Sequence, residues 1–248
     1  MTDIRTSGSA PLPRSTGSGY ALPILTGLAI AAIGLGPWVL LARLNATFRP
    51  DVPWAAAATL AYHGLLLWWL HGSGPPARTA SERRYRLRLW PRRLHSARAD
   101  STLSTGAIVA LLVLLYVLWI VVGRLSPVPD VSAFPTTAYR WSIFLMGGLT
   151  AGVIEEAAFR GYLQTGLERH RPDHALLVTS LVFVAAHLTQ GAGALLLAPG
   201  LFAASMLYGM LARQTGTILP GMAIHVAGDL AYVYFGLLRG HGSLLFAS

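Results

Sequence analysis

Cysteine is absent from the chain, which excludes disulfides, thiolate nucleophiles and thiolate metal sites. Lysine is absent too, so all 19 basic residues are arginine. Charge of either sign is scarce: 12 % of residues are charged and 54 % hydrophobic, and the mean hydropathy is +0.53. A soluble domain carries about twice that share of charge. The composition therefore predicts a polytopic membrane protein. The apolar runs are long and unbroken, without the alternation in segments of about ten residues that marks a transmembrane β-barrel. Helices satisfy their own backbone in lipid, so the expected fold is an all-α transmembrane helix bundle.

The formal net charge of +9 would suit a nucleic-acid binder, but its distribution argues otherwise. Eight arginines (78, 83, 84, 86, 88, 92, 93 and 98) crowd into one loop, 71–100, between apolar segments. Such a loop sets orientation and meets anionic headgroups. Membrane lipids are thus expected partners, and nucleic acid is not.

Three regions follow. Residues 1–19, rich in Ser, Gly, Thr and Pro, read as a disordered N-terminal tail. Residues 20–123 hold the first transmembrane helices and the Arg-rich loop 71–100, and residues 138–238 form a second helical half. Apolar segments are expected at about 20–42, 53–70, 103–122, 138–166, 174–190, 194–213 and 217–238. That makes about seven spans, within a range of six to eight. The first is too long for a signal-peptide core. Trp54, Trp68 and Trp69 sit near the ends of the second, as interfacial aromatics do. Ser126-Pro127-Val128-Pro129-Asp130 and Pro135 predict a break over 124–136, and Pro199-Gly200 a kink in the sixth span. With loop 71–100 cytoplasmic, thirteen arginines lie on that side and five on the other. The N-terminus is then cytoplasmic.

The polar residues inside these spans carry the functional signal. Gly152-Val153-Ile154-Glu155-Glu156-Ala157-Ala158-Phe159-Arg160 places two carboxylates and an arginine in an apolar helix. Ionised groups at bilayer depth are costly and usually face a bundle interior or a cavity. His187 lies in the fifth span, and His225 with Asp229 in the seventh. At about 1.5 Å of rise per residue, Glu155 lies about 17 Å from the cytoplasmic end of its span, His187 about 20 Å, and His225 and Asp229 about 12–18 Å. Similar depth predicts one shared site. Glu156 and Arg160, four residues apart, can pair on one face. Glu155, turned about 100° away, is left for another task. His225 and Asp229 also share a face.

Known intramembrane chemistries narrow the choice. There is no H-E-x-x-H for a zincin, no G-x-S-x-G nucleophile, and Asp229 is the sole Asp within a span, so an aspartate dyad is excluded. Ser205 has no obvious partner. A carboxylate and a histidine remain, which together can activate water, and His225 with Asp229 can meet an oxyanion. A proton-coupled transporter would also hold Glu, His and Asp at mid-depth, but no internal repeat is visible. A non-catalytic scaffold or immunity-type protein on a protease fold would not need every group.

Glu155-Glu156-x-x-x-Arg160, Phe183-x-x-x-His187 and His225-x-x-x-Asp229, in that order, resemble the three motifs of the CPBP family. These are the CAAX-processing and bacteriocin-processing (Abi) intramembrane proteases. The run Leu207-Tyr208-Gly209-Met210-Leu211-Ala212-Arg213 is also similar to the approach to that family's last histidine. The resemblance covers about residues 138–232. It implies an endopeptidase in which Glu155 and His187 activate water, Glu156 and Arg160 support them, and His225 with Asp229 forms the oxyanion site. The third motif ends in Asn or Asp among relatives. Here it is Asp, which is expected to be protonated or to orient His225. Glu155, His187 and His225 could bind Zn²⁺ with an open fourth position, as in a metalloendopeptidase, but the metal-free mechanism is the preferred expectation. Arginine-only basic usage suggests a GC-rich bacterial genome, where prenylated CAAX substrates are unexpected. A peptide or membrane-protein substrate at a bacterial cytoplasmic membrane follows.

Overall fold

A computed structural model of the chain describes residues 20–49, 51–72, 103–125, 144–188 and 193–237. All regular structure among them is helical. Helix α1 spans Ala21–Thr47, α2 Trp54–Gly72 and α3 Thr105–Leu125. A continuous helix, α4, runs through 144–170. Then follow α5 Pro172–Leu188, α6 Gly193–Thr215 and α7 Leu219–Ala231, the last extended by a wide turn Tyr232–Leu237. The tail 1–19, residues 73–100 of the Arg-rich loop and most of the expected break over 124–136 lie outside the described residues. Within that break, Arg124 and Leu125 are helical, because Pro127 restrains chiefly the residue before it.

Each expected apolar segment coincides with a helix, so the all-α bundle stands. On length and apolar composition alone, three stretches are fit to cross a membrane: Ala21–Asn45, Thr105–Val122 and Leu195–Thr215. Pro172–Leu188 is apolar but shorter. One face of α3 is open, with Leu111, Leu114, Leu118 and Val122 all exposed. Such a row of aliphatic side chains suits lipid rather than water. Trp68 and Trp69 are exposed near the end of α2, where interfacial aromatics were expected. Some boundaries shift: α1 continues to Thr47, α4 runs on to His170, and α6 passes through Pro199 without interruption.

Helix α4 is the central element. Ile154, Ala157, Ala158, Phe159, Leu163 and Leu167 are all at most 1 % exposed, so it is covered on several sides. Its winding changes along its length: Phe144–Thr150 is π-helical, Ala151–Glu155 α-helical, Glu156–Gln164 π-helical and Thr165–His170 α-helical. A π segment bonds i to i+5, is rare, and recurs at functional sites. The Thr165 hydroxyl follows the same register, donating to the carbonyl of Arg160 at 3.0 Å.

Small residues let the neighbours approach closely. A Cβ on Gly27 of α1 would lie 2.7 Å from Leu163 Cβ, and one on Gly34 would collide with Ile154. At the far end, Arg213 Nε and Gln164 Nε2 both donate to Glu168 Oε1 at 2.9 Å, and Arg213 also donates to the Pro172 carbonyl at 2.7 Å. That clasp joins the ends of α4 and α6 to the start of α5.

The first helix contains Pro37, which has no N–H and leaves the carbonyl of Ile33, four residues earlier, without its helical donor. Within a membrane such a group needs another partner. Helix α2 supplies it. The Tyr62 hydroxyl donates to the Ile33 carbonyl at 2.6 Å, and His63 Nε2 to the next carbonyl, Gly34, at 2.7 Å. Tyr62→Phe is expected to lower stability by about 1 kcal/mol, the net worth of such a bond. In a Pro37→Ala background the loss should largely vanish, because the helix then supplies its own donor. Thermal unfolding of the four variants in detergent checks both outcomes.

Candidate active site

Three helices bring the six predicted residues together. Glu155 closes the α-helical part of α4, and Glu156 opens its π-helical part. His187 lies on the last turn of α5, and His225 and Asp229 lie on α7. Glu155, Glu156, Arg160 and His225 are buried, Glu156 and Arg160 completely.

The innermost layer is an ion pair. Arg160 NH1 lies 3.1 Å from Glu156 Oε1, a charge contact without an aligned hydrogen bond. Its NH2 donates to the Ser205 hydroxyl at 2.9 Å and to the Ser205 carbonyl at 3.2 Å. The guanidinium carbon sits 4.7 Å from the Phe183 ring centre and 5.4 Å from that of Tyr208, within cation–π range. Ser205, without an apparent partner in the sequence, is thus Arg160's hydrogen-bond partner. Phe183 of the second motif packs, as most such residues do, but against this cation and against His187, with ring centres 4.4 Å apart.

His225 occupies the centre. Its Nδ1 lies 3.1 Å from Glu156 Oε1, and its Nε2 lies 3.7 Å from Glu155 Oε2 and 3.5 Å from Asp229 Oδ2. Tyr208 stacks on the ring, 4.8 Å between centres and 17° from parallel. On the α4 side there is no side chain at Gly152, where a Cβ would lie 3.0 Å from His225 Cγ. The imidazole can therefore lie against the helix backbone. Their angular offset does not carry Glu155 and Glu156 far apart. Both face this one ring, one at each nitrogen.

His187 completes the outer side. Its Nδ1 is 2.9 Å from the Phe183 carbonyl. A carbonyl only accepts, so Nδ1 carries the proton and, in the neutral ring, Nε2 presents a lone pair. That Nε2 lies 3.9 Å from Glu155 Oε1. The distance is too long for a direct hydrogen bond, and a water set to one side of the line between the two atoms would reach both. Glu155 thus has an imidazole Nε2 near each oxygen.

A carboxylate and two imidazoles are suitable donors for Zn²⁺, and the backbone acceptor on His187 Nδ1 resembles the outer support of metal-bound histidines. Among the described residues, however, no group of three or more His, Asp or Glu is spaced to hold a metal ion.

Two tyrosines escaped the sequence reading. Tyr208 lies in the run before the last motif, and Tyr116 lies on α3. The Tyr116 hydroxyl donates to Asp229 Oδ1 at 3.0 Å and is itself the acceptor of the Tyr208 hydroxyl at 3.1 Å. A tyrosine in an apolar helix has no spacing signal that separates packing from hydrogen bonding. Only the fold reveals these two.

Comparison with known proteins agrees with the motifs. Residues 137–231 match the family described as Type II CAAX prenyl endopeptidase Rce1-like. All six predicted residues fall inside the match, which leaves the first half of the chain uncovered. Neither a curated protein nor a solved structure matches. The match supports a CAAX-type intramembrane protease in general terms, and with it a peptide or protein substrate. Together with the apolar helices it makes this an integral membrane protein.

The ion pair at the base of the site makes a sharp prediction. Removing one partner of a buried pair strands the other charge and costs about 3–5 kcal/mol. Arg160→Met should therefore lower stability far more than Arg160→Met combined with Glu156→Leu. Denaturation of the three proteins in detergent, monitored by tryptophan fluorescence, gives the comparison.

Proposed function

We propose that the chain is an intramembrane endopeptidase in which Glu155 and His187 activate a water molecule and His225 stabilises the oxyanion. The observation that carries this reading is the arrangement around Glu155, whose oxygens lie 3.9 Å from His187 Nε2 and 3.7 Å from His225 Nε2. A water held in the gap beside Glu155 and His187 gives a proton to the Glu155 carboxylate as its oxygen attacks the scissile carbonyl carbon. The carbonyl π electrons move to oxygen. His225, with Nε2 protonated, donates to that oxyanion. Collapse of the tetrahedral intermediate breaks the C–N bond, and Glu155 returns the proton to the leaving amine. Glu155 thus acts first as base and then as acid.

Glu156 and Arg160 serve this scheme from below. Glu156 accepts from His225 Nδ1, which fixes the ring so that Nε2 faces the reaction, and Arg160 anchors Glu156. Asp229 lies beside Nε2 and orients the imidazole, the second of the two roles expected for it. No step of this scheme requires a metal.

The substrate is a peptide or a membrane protein presented at bilayer depth. The preferred setting is a bacterial cytoplasmic membrane with the N-terminus inside, following the arginine distribution.

The test is cleavage of a quenched fluorescent peptide library by purified protein in detergent. Loss of the base or of the oxyanion donor each costs about a hundredfold or more in rate. Glu155→Ala, His187→Ala and His225→Ala should each abolish detectable cleavage, with thermal unfolding measured alongside to separate a lost group from a lost fold. A chelator should leave the wild-type rate unchanged. Cleavage that persists equally in all three variants would defeat the proposal.

A further inference from the structure

Tyr116 comes from α3, outside the matched residues 137–231. Its hydroxyl nevertheless ends in the third motif. The O–H lies 3.0 Å from Asp229 Oδ1 and 3.4 Å from the His225 carbonyl. It has one proton to give, and the shorter contact to a carboxylate is the stronger bond. Its own oxygen accepts from Tyr208. A directed chain results: Tyr208 to Tyr116 to Asp229, with the other Asp229 oxygen 3.5 Å from His225 Nε2.

Packing fixes the geometry. The Tyr116 ring is 6 % exposed and lies so close to Gly228, the residue before Asp229, that a Cβ there would overlap the ring. Trp119 meets it edge-on from the same helix, with ring centres 5.3 Å apart. The ring cannot swing away without parting α3 from α7.

Chemistry explains the need for a donor there. An amide at position 229 would offer one acceptor and one donor group. A carboxylate offers acceptors alone, and a buried acceptor left without a partner is costly. Oδ2 faces the imidazole, and Oδ1 has Tyr116.

We infer that Tyr116 is a positioning residue of the site: its hydroxyl holds Asp229 Oδ1 so that Oδ2 faces His225 Nε2. The second half of the chain therefore depends on α3 for its geometry. The kinetic consequence rests on the protease reading, whereas the spectroscopic one does not.

Tyr116→Phe keeps the ring against Gly228 and removes only the donor. Tyr62→Phe is the control, since it deletes another tyrosine bond that involves none of the six site residues. The full chain, labelled with ¹⁵N at histidine, is examined in detergent at one fixed pH, and His225 is assigned by its loss in His225→Gln. The His225 ring resonances should move in Tyr116→Phe and stay in place in Tyr62→Phe. Unmoved His225 resonances in Tyr116→Phe overturn the inference whether or not cleavage is ever detected. A second measurement leaves Tyr116 intact: in the tyrosine ¹³Cζ spectrum, Asp229→Asn should shift at least one resonance, and an unchanged spectrum counts against the bond. Where cleavage is measured, Tyr116→Phe should lower kcat about tenfold with KM unchanged. The same substitution in an Asp229→Leu background should have little further effect. An equal fall of kcat in Tyr62→Phe would mark a general loss of stability and overturn the positioning role.

Discussion

The structure depends on keeping Arg160 charged and completely buried. A cation without water must be clothed by protein, and three of the helices around α4 give part of the clothing. Glu156 supplies the counter-charge from α4 itself, α5 gives the Phe183 ring, and α6 gives Ser205 and the Tyr208 ring. Helix α7 enters through His225, which shares the same Glu156 oxygen. These contacts need α5, α6 and α7 at fixed distances from α4. In lipid, apolar packing alone does not drive helices together, so polar contacts and close small-residue approaches set the arrangement. The arginine thus organises the bundle as well as the site.

The same layer prepares the groups above it. His225 Nδ1 is held by Glu156 and His187 Nδ1 by the Phe183 carbonyl. Both imidazoles therefore turn their Nε2 atoms toward Glu155. Neither histidine has to reorient before reaction, which is the condition under which fixed dipoles lower a barrier most. The change from α to π winding falls between Glu155 and Glu156. It is at this junction that adjacent residues reach opposite nitrogens of one ring, although an ideal helix would set them about 100° apart.

Much of this was legible in the residues. Polar groups inside apolar runs singled out α4, α5 and α7, and the depth argument expected one shared level for Glu155, His187 and His225, whose side chains do meet, 3.9 and 3.7 Å from Glu155. It worked because rise per residue is nearly independent of sequence, so errors of a few residues at Gly166 or His174 displaced the estimate by only a few ångströms. What stayed hidden depended on identity without periodicity. Tyr116, Tyr208 and Ser205 are ordinary residues in apolar helices, and their hydroxyls gain meaning only from what lies opposite. The π winding has no known sequence pattern on which to rest. Pro37 could be read as freeing a carbonyl, but nothing in the sequence said that Tyr62 and His63 would meet it. The orientation drawn from the arginine loop depends largely on residues 78–98, which lie outside the described residues.

The division of the chain into a matched and an unmatched half is therefore not a division of labour. Helix α1 lies against α4 through Gly27 and Gly34, and the latter abuts Ile154, the residue before Glu155. The bonds from Tyr62 and His63 hold α1 where Pro37 has opened it, at Ile33 and Gly34. Helix α3 approaches from the other side, with Tyr116 against Gly228 and Asp229. Two of these contacts touch a residue next to a motif, Ile154 and Gly228, and one reaches the motif residue Asp229 itself. A motif records which side chains the chemistry needs. The backbone that aims them is held by neighbours whose identities can vary, provided the contact survives. A first half with no family match is what such a constraint allows, since α1, α2 and α3 need supply only a close surface, two donors to the opened carbonyls of α1 and one hydroxyl at Asp229.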